Sequence, residues 1–305
     1  MLPVQQNRGR LLITGAAGFL GTQLVSSAHA AGWDVIAHVR EQRSDLNLPD
    51  AVARVALDLD AQPEWQSWID GLAPTAVIHA AALSRIAACE RDPALARRIN
   101  VDAPRALTLA CAQRGARMVL VSTDLVFGRD PAPGTGFCEH HEPAPISLYG
   151  ISKLEAESAV LEADPAALVV RLPLLVGPSA GRGLGASDSV WAAQQRGERP
   201  ALFDDEWRTP LDVRSAAEAL LELARLQLRG ILHLAGPERI SRYDLGLRAL
   251  RQHGLRADRA RAAILQTTRE ASGLGASRPA DVSLDATRAR GLLSTLLVGL
   301  DSGSS

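Results

Sequence analysis

The sequence predicts an α/β fold: a doubly wound parallel sheet with a smaller, mostly C-terminal part. Short apolar runs rich in Val, Ile, Leu and Ala alternate with helical patterns through residues 10–176. Such alternation is typical of parallel strands that are covered by helices on both faces. A glycine-rich turn at residues 15–21 separates the first apolar run from the first helical pattern. The length of 305 residues allows one large domain or two closely packed ones.

The individual elements follow from apolar periodicity and from the residues that end each pattern. The predicted strands are Arg10–Thr14, Asp34–Arg40, Arg54–Leu57, Thr75–Ala81, Arg117–Ser122 and Ala167–Val176. The predicted helices between them are Leu20–Ala31, Glu64–Gly71, Pro93–Arg114 and Leu148–Leu161. The alternation loosens after Val176, where a glycine-rich stretch at 177–187 predicts a mobile loop. Later elements are helices Ser189–Arg196, Ser215–Leu228 and Ser241–His253 and strand Gly230–Ala235.

The glycine-rich turn is the first feature that points to chemistry. Gly15, Gly18 and Gly21 follow a strand and open a helix with the spacing G-x-x-G-x-x-G. In a Rossmann-type unit such glycines make the tight turn, admit a pyrophosphate close to the backbone and let the helix pack on the sheet. The free N–H groups of the helix N-terminus then bind the phosphates. The alternative is a plain tight turn, which the position after the first strand makes less favoured.

The end of the second predicted strand indicates the cofactor. An acidic residue at this place binds the ribose hydroxyls of NAD, whereas arginine suits the 2′-phosphate of NADP. The strand ends in Arg40, and Arg43 follows closely. We therefore expect NADPH, while Glu41 keeps NAD(H) possible. The alternative for both arginines is a solvated loop.

A tyrosine and a lysine form the second chemical feature. The 33 basic residues include a single lysine, Lys153, and it follows Tyr149, one of two tyrosines, by four positions. On a helix the two side chains share one face. An ammonium beside a phenol favours the phenolate and lowers the tyrosine pKa from its ordinary value of about 10, which suits an acid or base near neutral pH. Thr123, at a strand end, offers a hydroxyl to the same substrate oxygen.

Composition excludes other classes. The net charge of −1 argues against nucleic-acid partners. The three cysteines share no close spacing, which predicts a reducing, cytoplasmic location without disulfides. No apolar run is long enough to span a membrane. Adjacent histidines in the stretch 138–142 form no recognised metal spacing, and 204–206 is interpreted as a solvated charge run, so no metal site is expected.

Together these motifs make the chain resemble an extended short-chain dehydrogenase/reductase, and within that superfamily the dTDP-4-dehydrorhamnose reductase-like branch. The matching stretches are Thr14–Gly21, Asp58-Leu59, His79–Ala82, Asn100-Val101, Ser122–Gly128, Glu139, Pro145, Tyr149–Lys153, Arg171–Pro173, Arg208–Val213, Leu232–Gly236 and Arg278–Val282. They run nearly end to end. The stretch after Pro173 lacks the aromatic and asparagine residues that many members carry, which leaves the substrate open.

The resemblance implies roles for individual residues. The implied catalytic residues are Thr123, Tyr149 and Lys153. The implied cofactor contacts, besides Arg40, Arg43, Tyr149 and Lys153, are Gly15, Ala17, Gly18, Phe19, Leu20, Gly21, Asp58, Leu59, Ala80, Ala81, Ala82, Asn100 and Pro173. The implied substrate contacts are Thr123, Asp124, Arg208 and Arg278, the two arginines at a diphosphate.

The expected function is an NADP(H)-dependent reductase of a carbonyl, the 4-keto group of a nucleotide-activated deoxysugar. Two alternatives remain: a nucleotide-sugar epimerase or dehydratase, and a non-catalytic cofactor-binding subunit similar to that of methionine adenosyltransferase. We expect a cofactor domain over 1–173, to which 211–236 returns. A substrate-binding part over 174–210 and 237–298 and a frayed tail over 299–305 complete the chain. A homodimer is expected, since the predicted helix Pro93–Arg114 has apolar residues on more than one face.

Overall fold

A computed structural model of the protein describes residues 9–41, 48–275 and 277–300. Its strands are β1 Arg10–Thr14, β2 Asp34–Val39, β3 Ala53–Ala56, β4 Ala76–His79, β5 Arg117–Thr123, β6 Leu168–Leu172, β7 Leu175–Val176, β8 Ala201–Phe203, β9 Trp207–Arg208, β10 Leu211–Asp212, β11 Gly230–His233, β12 Ile240–Ser241 and β13 Leu265–Thr267. Its α-helices are α1 Phe19–Ala30, α2 Trp65–Leu72, α3 Ile86–Arg91, α4 Pro93–Arg97, α5 Ala103–Arg114, α6 Leu148–Ala163, α7 Ala186–Gln195, α8 Val213–Leu223, α9 Arg242–Gln252, α10 Ala257–Ala262 and α11 Thr287–Leu292.

A seven-stranded sheet confirms the predicted fold class. Its strand order is β11-β6-β5-β4-β1-β2-β3, and β1 runs parallel to both β2 and β4. The chain lays down β1 to β3 in one direction and then returns to place β4 on the other side of β1. In such sheets, ligands bind outside the carboxyl ends of the strands where the order reverses. That point lies between β1 and β4, where Thr14 stands in register with His79.

The chain divides into two compact units. The first comprises residues 1–122, 151–170 and 217–231 and holds most of the sheet. Its core is a cluster of fully buried side chains from strands and flanking helices, among them Leu12, Val77, Leu107, Met118 and Val160. Strand residues are apolar at consecutive positions because both sheet faces are covered.

The second unit comprises residues 123–150, 171–216 and 232–305. It contains three small two-stranded sheets, β10-β7, β12-β9 and β13-β8. Two smaller apolar clusters stabilise it, one around Leu202, Leu250 and Ile264 and the other around Val176 and Leu245.

Two predicted elements are interrupted by prolines. The predicted helix Pro93–Arg114 is divided by a π-helical turn at Arg98–Asp102 into α4 and α5. Pro104 lacks the N–H that would bond back to Asn100, which accounts for the wider turn. The predicted strand Ala167–Val176 is likewise split at Pro173 into β6 and β7. Among the described residues, no helix is both long and apolar enough to cross a bilayer.

Candidate active site

The glycine-rich turn has the close backbone contacts that its spacing predicts. Gly15 has a φ of +71°, and a Cβ there would lie 2.8 Å from the backbone nitrogen of Ala81. A Cβ on Gly21 would lie 2.1 Å from the carbonyl oxygen of Gly15. Neither position accepts a side chain without moving the backbone. Helix α1 begins at Phe19, and Gly18 before it has no side chain to accept from the first N–H groups of the helix.

Two buried histidines lie beneath this turn. His38 Nε2 donates to the carbonyl of Leu57 at 2.9 Å, which leaves Nδ1 to accept from the Gly15 N–H at 3.5 Å. His79 Nδ1 shares a hydrogen bond of 2.9 Å with the Thr14 hydroxyl, whose oxygen also accepts from Ala81 N–H. Burial lowers the pKa of His79 to about 3, so this ring stays neutral. The histidines therefore fix the turn without adding charge.

The residues predicted to contact the adenosine half lie at the ends of β2 and β3. Arg40 and Glu41 are both exposed, with side-chain exposures of 72% and 69%, and their charged groups are 3.5 Å apart. Arg43 lies outside the described residues. Asp58 is exposed and caps a short 3₁₀ helix at Leu59–Ala61 by accepting from the backbone N–H of Asp60. Leu59 is buried.

Asn100 holds the segment that follows β4. This side chain is 1% exposed, its Oδ1 accepts from Leu83 N–H, and its Nδ2 donates to Leu83 O and to the Ser152 hydroxyl. The bonds to Leu83 fix the backbone just after Ala80–Ala82. The bond to Ser152 ties the same segment to helix α6.

The only lysine of the chain is buried at the carboxyl end of β5. Lys153 is 2% exposed, and its Nζ donates to the carbonyl of Val121 at 2.8 Å. Burial lowers its pKa to about 8, and the charge of Glu157 opposes that shift. Glu157, one helical turn later, is also 2% exposed and accepts from the Ser122 hydroxyl at 2.5 Å. Sequence reasoning missed Glu157, although its i+4 spacing from Lys153 was a usable signal.

Thr123 and the start of α6 lie together in the second unit. Thr123 Oγ1 donates to Asp124 Oδ1 at 3.1 Å and accepts from Leu125 N–H at 3.2 Å. The first turn of α6 packs directly on this segment, since a Cβ on Gly150 would lie 2.2 Å from the carbonyl oxygen of Leu125. Tyr149, the residue before Gly150, is half-buried. The predicted hydroxyl and phenol are thus attached to two segments in direct contact.

A buried charge cluster joins Asp124 to three arginines. Arg208 Nε lies 3.6 Å from Asp124 Oδ2, and its Nη2 donates to Glu206 Oε1 at 3.0 Å. Arg278 Nη1 donates to Glu206 Oε2 at 3.0 Å, and Arg242 Nε lies 3.9 Å from the same carboxylate. Burial raises the pKa of Asp124 to about 6, against the effect of Arg208. The interpretation of 204–206 as a solvated run is wrong for Glu206, which is 2% exposed.

The remaining predicted contacts, Pro173, Arg208 and Arg278, differ in how far they are exposed. Pro173 is buried between β6 and β7. The Arg208 side chain is 6% exposed, whereas that of Arg278 is 38% exposed and stacks on Phe203. Arg278 is therefore the more accessible of the two predicted diphosphate contacts.

A sheet that reverses its order beside a glycine-rich turn, with a buried lysine one helical turn after a tyrosine, defines the class: the chain is an NAD(P)-dependent oxidoreductase. It belongs to the RmlD substrate binding domain family, which matches residues 9–297.

The chain is similar in sequence to relatives of two kinds. The chain is 35% identical over 240 residues to dTDP-4-dehydrorhamnose reductase of Mycobacterium tuberculosis, covering 77% of this chain and 72% of that protein. It is also 29% identical over 300 residues to methionine adenosyltransferase 2 subunit beta of Bos taurus, covering 95% and 83%.

Solved structures have the same fold over nearly the full length. A hypothetical dTDP-4-dehydrorhamnose reductase from Sulfolobus tokodaii has a TM-score of 0.79 at 32% identity, covering 96% of this chain and 97% of that chain. The dTDP-4-dehydrorhamnose reductase of Bacillus anthracis, solved in complex with NADP, has a TM-score of 0.79 at 24% identity, with 95% of each chain covered.

Proposed function

We propose that the protein is an NADPH-dependent reductase of the 4-keto group of a nucleotide-activated deoxysugar. The observation that carries this proposal is the buried ammonium of Lys153, held by Val121 O at the end of β5 and placed one helical turn after Tyr149. A buried ammonium is costly. Lysine stands at this place in a chain whose other basic residues are all arginine, which supports a chemical role for it.

The residues of the glycine-rich turn fit a dinucleotide. A Cβ on Gly15 or Gly21 would clash with neighbouring backbone atoms, so these positions leave the turn without side chains. The N-terminus of α1, which has no side-chain cap, offers N–H donors for a pyrophosphate. We propose that Gly15, Ala17, Gly18, Phe19, Leu20 and Gly21 hold the phosphates. In the same proposal Arg40 and Arg43 bind the 2′-phosphate, and Asp58 and Leu59 lie near the adenine. The remainder of the cofactor is lined by Ala80, Ala81, Ala82, Asn100 and Pro173. When bound, NADPH supplies the hydride.

The residues of this chain then manage the proton and the carbonyl oxygen. Tyr149 donates its phenolic proton to that oxygen as it gains charge. Lys153 favours the phenolate that is left and bonds the ribose. Thr123 binds the same oxygen. Because its hydroxyl donates to Asp124 Oδ1, it must turn from Asp124 to donate to the substrate.

The charge cluster around Glu206 supports the proposal that the substrate is an anion. Two carboxylates, Asp124 and Glu206, face the guanidinium groups of Arg208, Arg242 and Arg278. Within that set the positive charges exceed the negative ones by one. We propose that a diphosphate binds at Arg208 and Arg278, with the partly exposed Arg278 making the first contact.

A second candidate is a non-catalytic cofactor-binding subunit, favoured by the similarity to methionine adenosyltransferase 2 subunit beta over 95% of this chain. An epimerase or dehydratase would use the same residues but recycle its cofactor. We further propose a homodimer, a cytoplasmic location, a cofactor-binding role for 1–173 and 211–236, and a substrate-binding role for 174–210 and 237–298. Light scattering at micromolar concentration tests the dimer, and a monomer contradicts it.

The function is tested by absorbance at the nicotinamide band. The protein is incubated with NADPH and a panel of dTDP-4-keto sugars, and NADPH consumption is followed. Tyr149→Phe should lose most of kcat while NADPH binds as in the wild type. An active Tyr149→Phe variant contradicts the catalytic assignment. No turnover with any sugar, together with a tight protein partner, favours the subunit.

A further inference from the structure

A cysteine and two histidines converge at the surface of the second unit, in residues that the proposed reaction does not use. Cys138 Sγ lies 2.8 Å from Nδ1 of His141 and 3.3 Å from both ring nitrogens of His140. The sulfur and one nitrogen from each histidine all lie within 4.8 Å of one another. The sequence shows no recognised metal spacing here, but a turn brings the side chains together: His141 N–H donates to the carbonyl of Cys138 at 3.1 Å.

The surrounding residues hold this turn from behind. Phe137 stacks on Phe127 with ring centroids 4.0 Å apart, and the His141 ring meets Phe137 edge to face. Glu139, between the candidate ligands, is turned away and accepts from the backbone N–H of His233 at 3.0 Å. His140 is exposed and Cys138 is half-buried, so an ion from solvent can reach the three ligand atoms.

The distances suit a small transition-metal ion after a modest adjustment. Zinc bonds of about 2.3 Å to sulfur and about 2.0 Å to nitrogen place tetrahedral ligands roughly 3.3–3.5 Å apart. The Sγ–Nδ1 distance to His141 is 2.8 Å, so the two atoms must move apart by less than about 1 Å. His141 Nδ1 also gives up its bond from the Cys138 N–H, now 2.9 Å. The exposed His140 ring must turn to aim one nitrogen at the ion.

We propose that Cys138, His140 and His141 bind one zinc ion through a thiolate and two imidazole nitrogens, with water in the fourth position. The thiol proton leaves to solvent as the ion binds. Thiolate and imidazole ligands select zinc over the hard cations calcium and magnesium. Bound zinc cross-links residues 138–141 and stabilises the folded chain by mass action.

The test uses the tag-free full chain, stripped with EDTA and titrated with Co²⁺ alone. One Co²⁺ per chain with an intense sulfur-to-cobalt band in the near ultraviolet is expected, and Zn²⁺ should abolish the band. Cys138→Ser, which keeps the side-chain size, should lose the band, and His140→Ala and His141→Ala should weaken binding. His29→Ala is the matched control, since His29 is an exposed histidine at the end of α1.

Melting temperature with and without Zn²⁺ gives a second readout, which does not depend on activity. Zinc should raise the melting temperature of the wild type and of His29→Ala, but not that of Cys138→Ser. No near-ultraviolet band in the wild type at saturating Co²⁺ overturns the proposal. A band that persists in Cys138→Ser overturns it equally, since the thiolate would then come from elsewhere.

Discussion

Replacing Glu157 by Gln should lower the pKa of Lys153. The glutamine keeps an oxygen for the Ser122 hydroxyl but removes a buried negative charge one helical turn from the ammonium. Side chains four apart on a helix are about 6 Å apart at Cβ. Two unit charges at about 6 Å attract by roughly 3 kcal/mol at an effective dielectric constant of about 20. Allowing for relaxation, we expect the Lys153 pKa to fall by about 1–2 pH units from about 8.

Because the chain has a single lysine, the pKa of Lys153 can be measured by NMR without assigning signals to residues. Lysine labelled with ¹³C at Cε gives one side-chain signal from Lys153, and its titration midpoint reports the pKa directly. His79 on β4 also interacts with Lys153, but burial lowers the pKa of His79 to about 3, so this ring stays neutral throughout the titration.

Glu155→Gln is the matched control for this titration. Glu155 lies on the same helix but is exposed, where it pairs with Arg97. The Lys153 midpoint should therefore stay where it is in the wild type. An equal midpoint in Glu157→Gln and the wild type would refute the argument that Glu157 keeps Lys153 charged.

Three further predictions concern the cofactor, the start of α6 and the charge cluster. Arg40→Ala should weaken the binding of NADPH about 10- to 150-fold and leave the binding of NADH nearly unchanged, because one charge-assisted contact to the 2′-phosphate is lost. A wild type that binds NADH more tightly than NADPH contradicts this. Gly150→Ala should destabilise by about 1–3 kcal/mol or more in urea unfolding, because its Cβ would lie 2.2 Å from Leu125 O. Gly71→Ala, where a Cβ meets nothing within 4 Å, should not destabilise, and equal effects would refute the clash. Glu206→Gln should lower the free energy of unfolding by about 3–5 kcal/mol, because the buried guanidiniums of Arg208 and Arg242 and the partly exposed one of Arg278 lose the carboxylate that they face. Unchanged stability would refute the pairing.

The sequence predicted the sheet and the glycine turn because local rules decide both. Gly15 adopts a φ of +71° and lies against the backbone of Ala81, and only glycine fits both conditions. The interruptions were harder to foresee. Pro104 allows a helix to continue through a π turn, whereas Pro173 ends a strand, and the difference depends on which backbone partners are available.

Charge networks could not be predicted, because their partners are distant in sequence. Glu206 follows two other acids and has the pattern of a solvated run, yet it pairs with Arg278, 72 positions later. Likewise, Asn100 meets Ser152 across 52 positions. Cys138 and His141 are close in sequence, but a single turn decides whether their side chains converge.

The most direct test of the proposed reaction follows the hydride itself. NADPH carrying deuterium at the transferable position of the nicotinamide is mixed with a dTDP-4-keto deoxysugar, and the sugar is examined by mass spectrometry and NMR. We predict one deuterium per product, on the former carbonyl carbon, with one NADPH oxidised for each. A sugar that is epimerised or dehydrated with no net NADPH oxidation, or a sugar recovered unchanged and without deuterium, would contradict the assignment as a reductase.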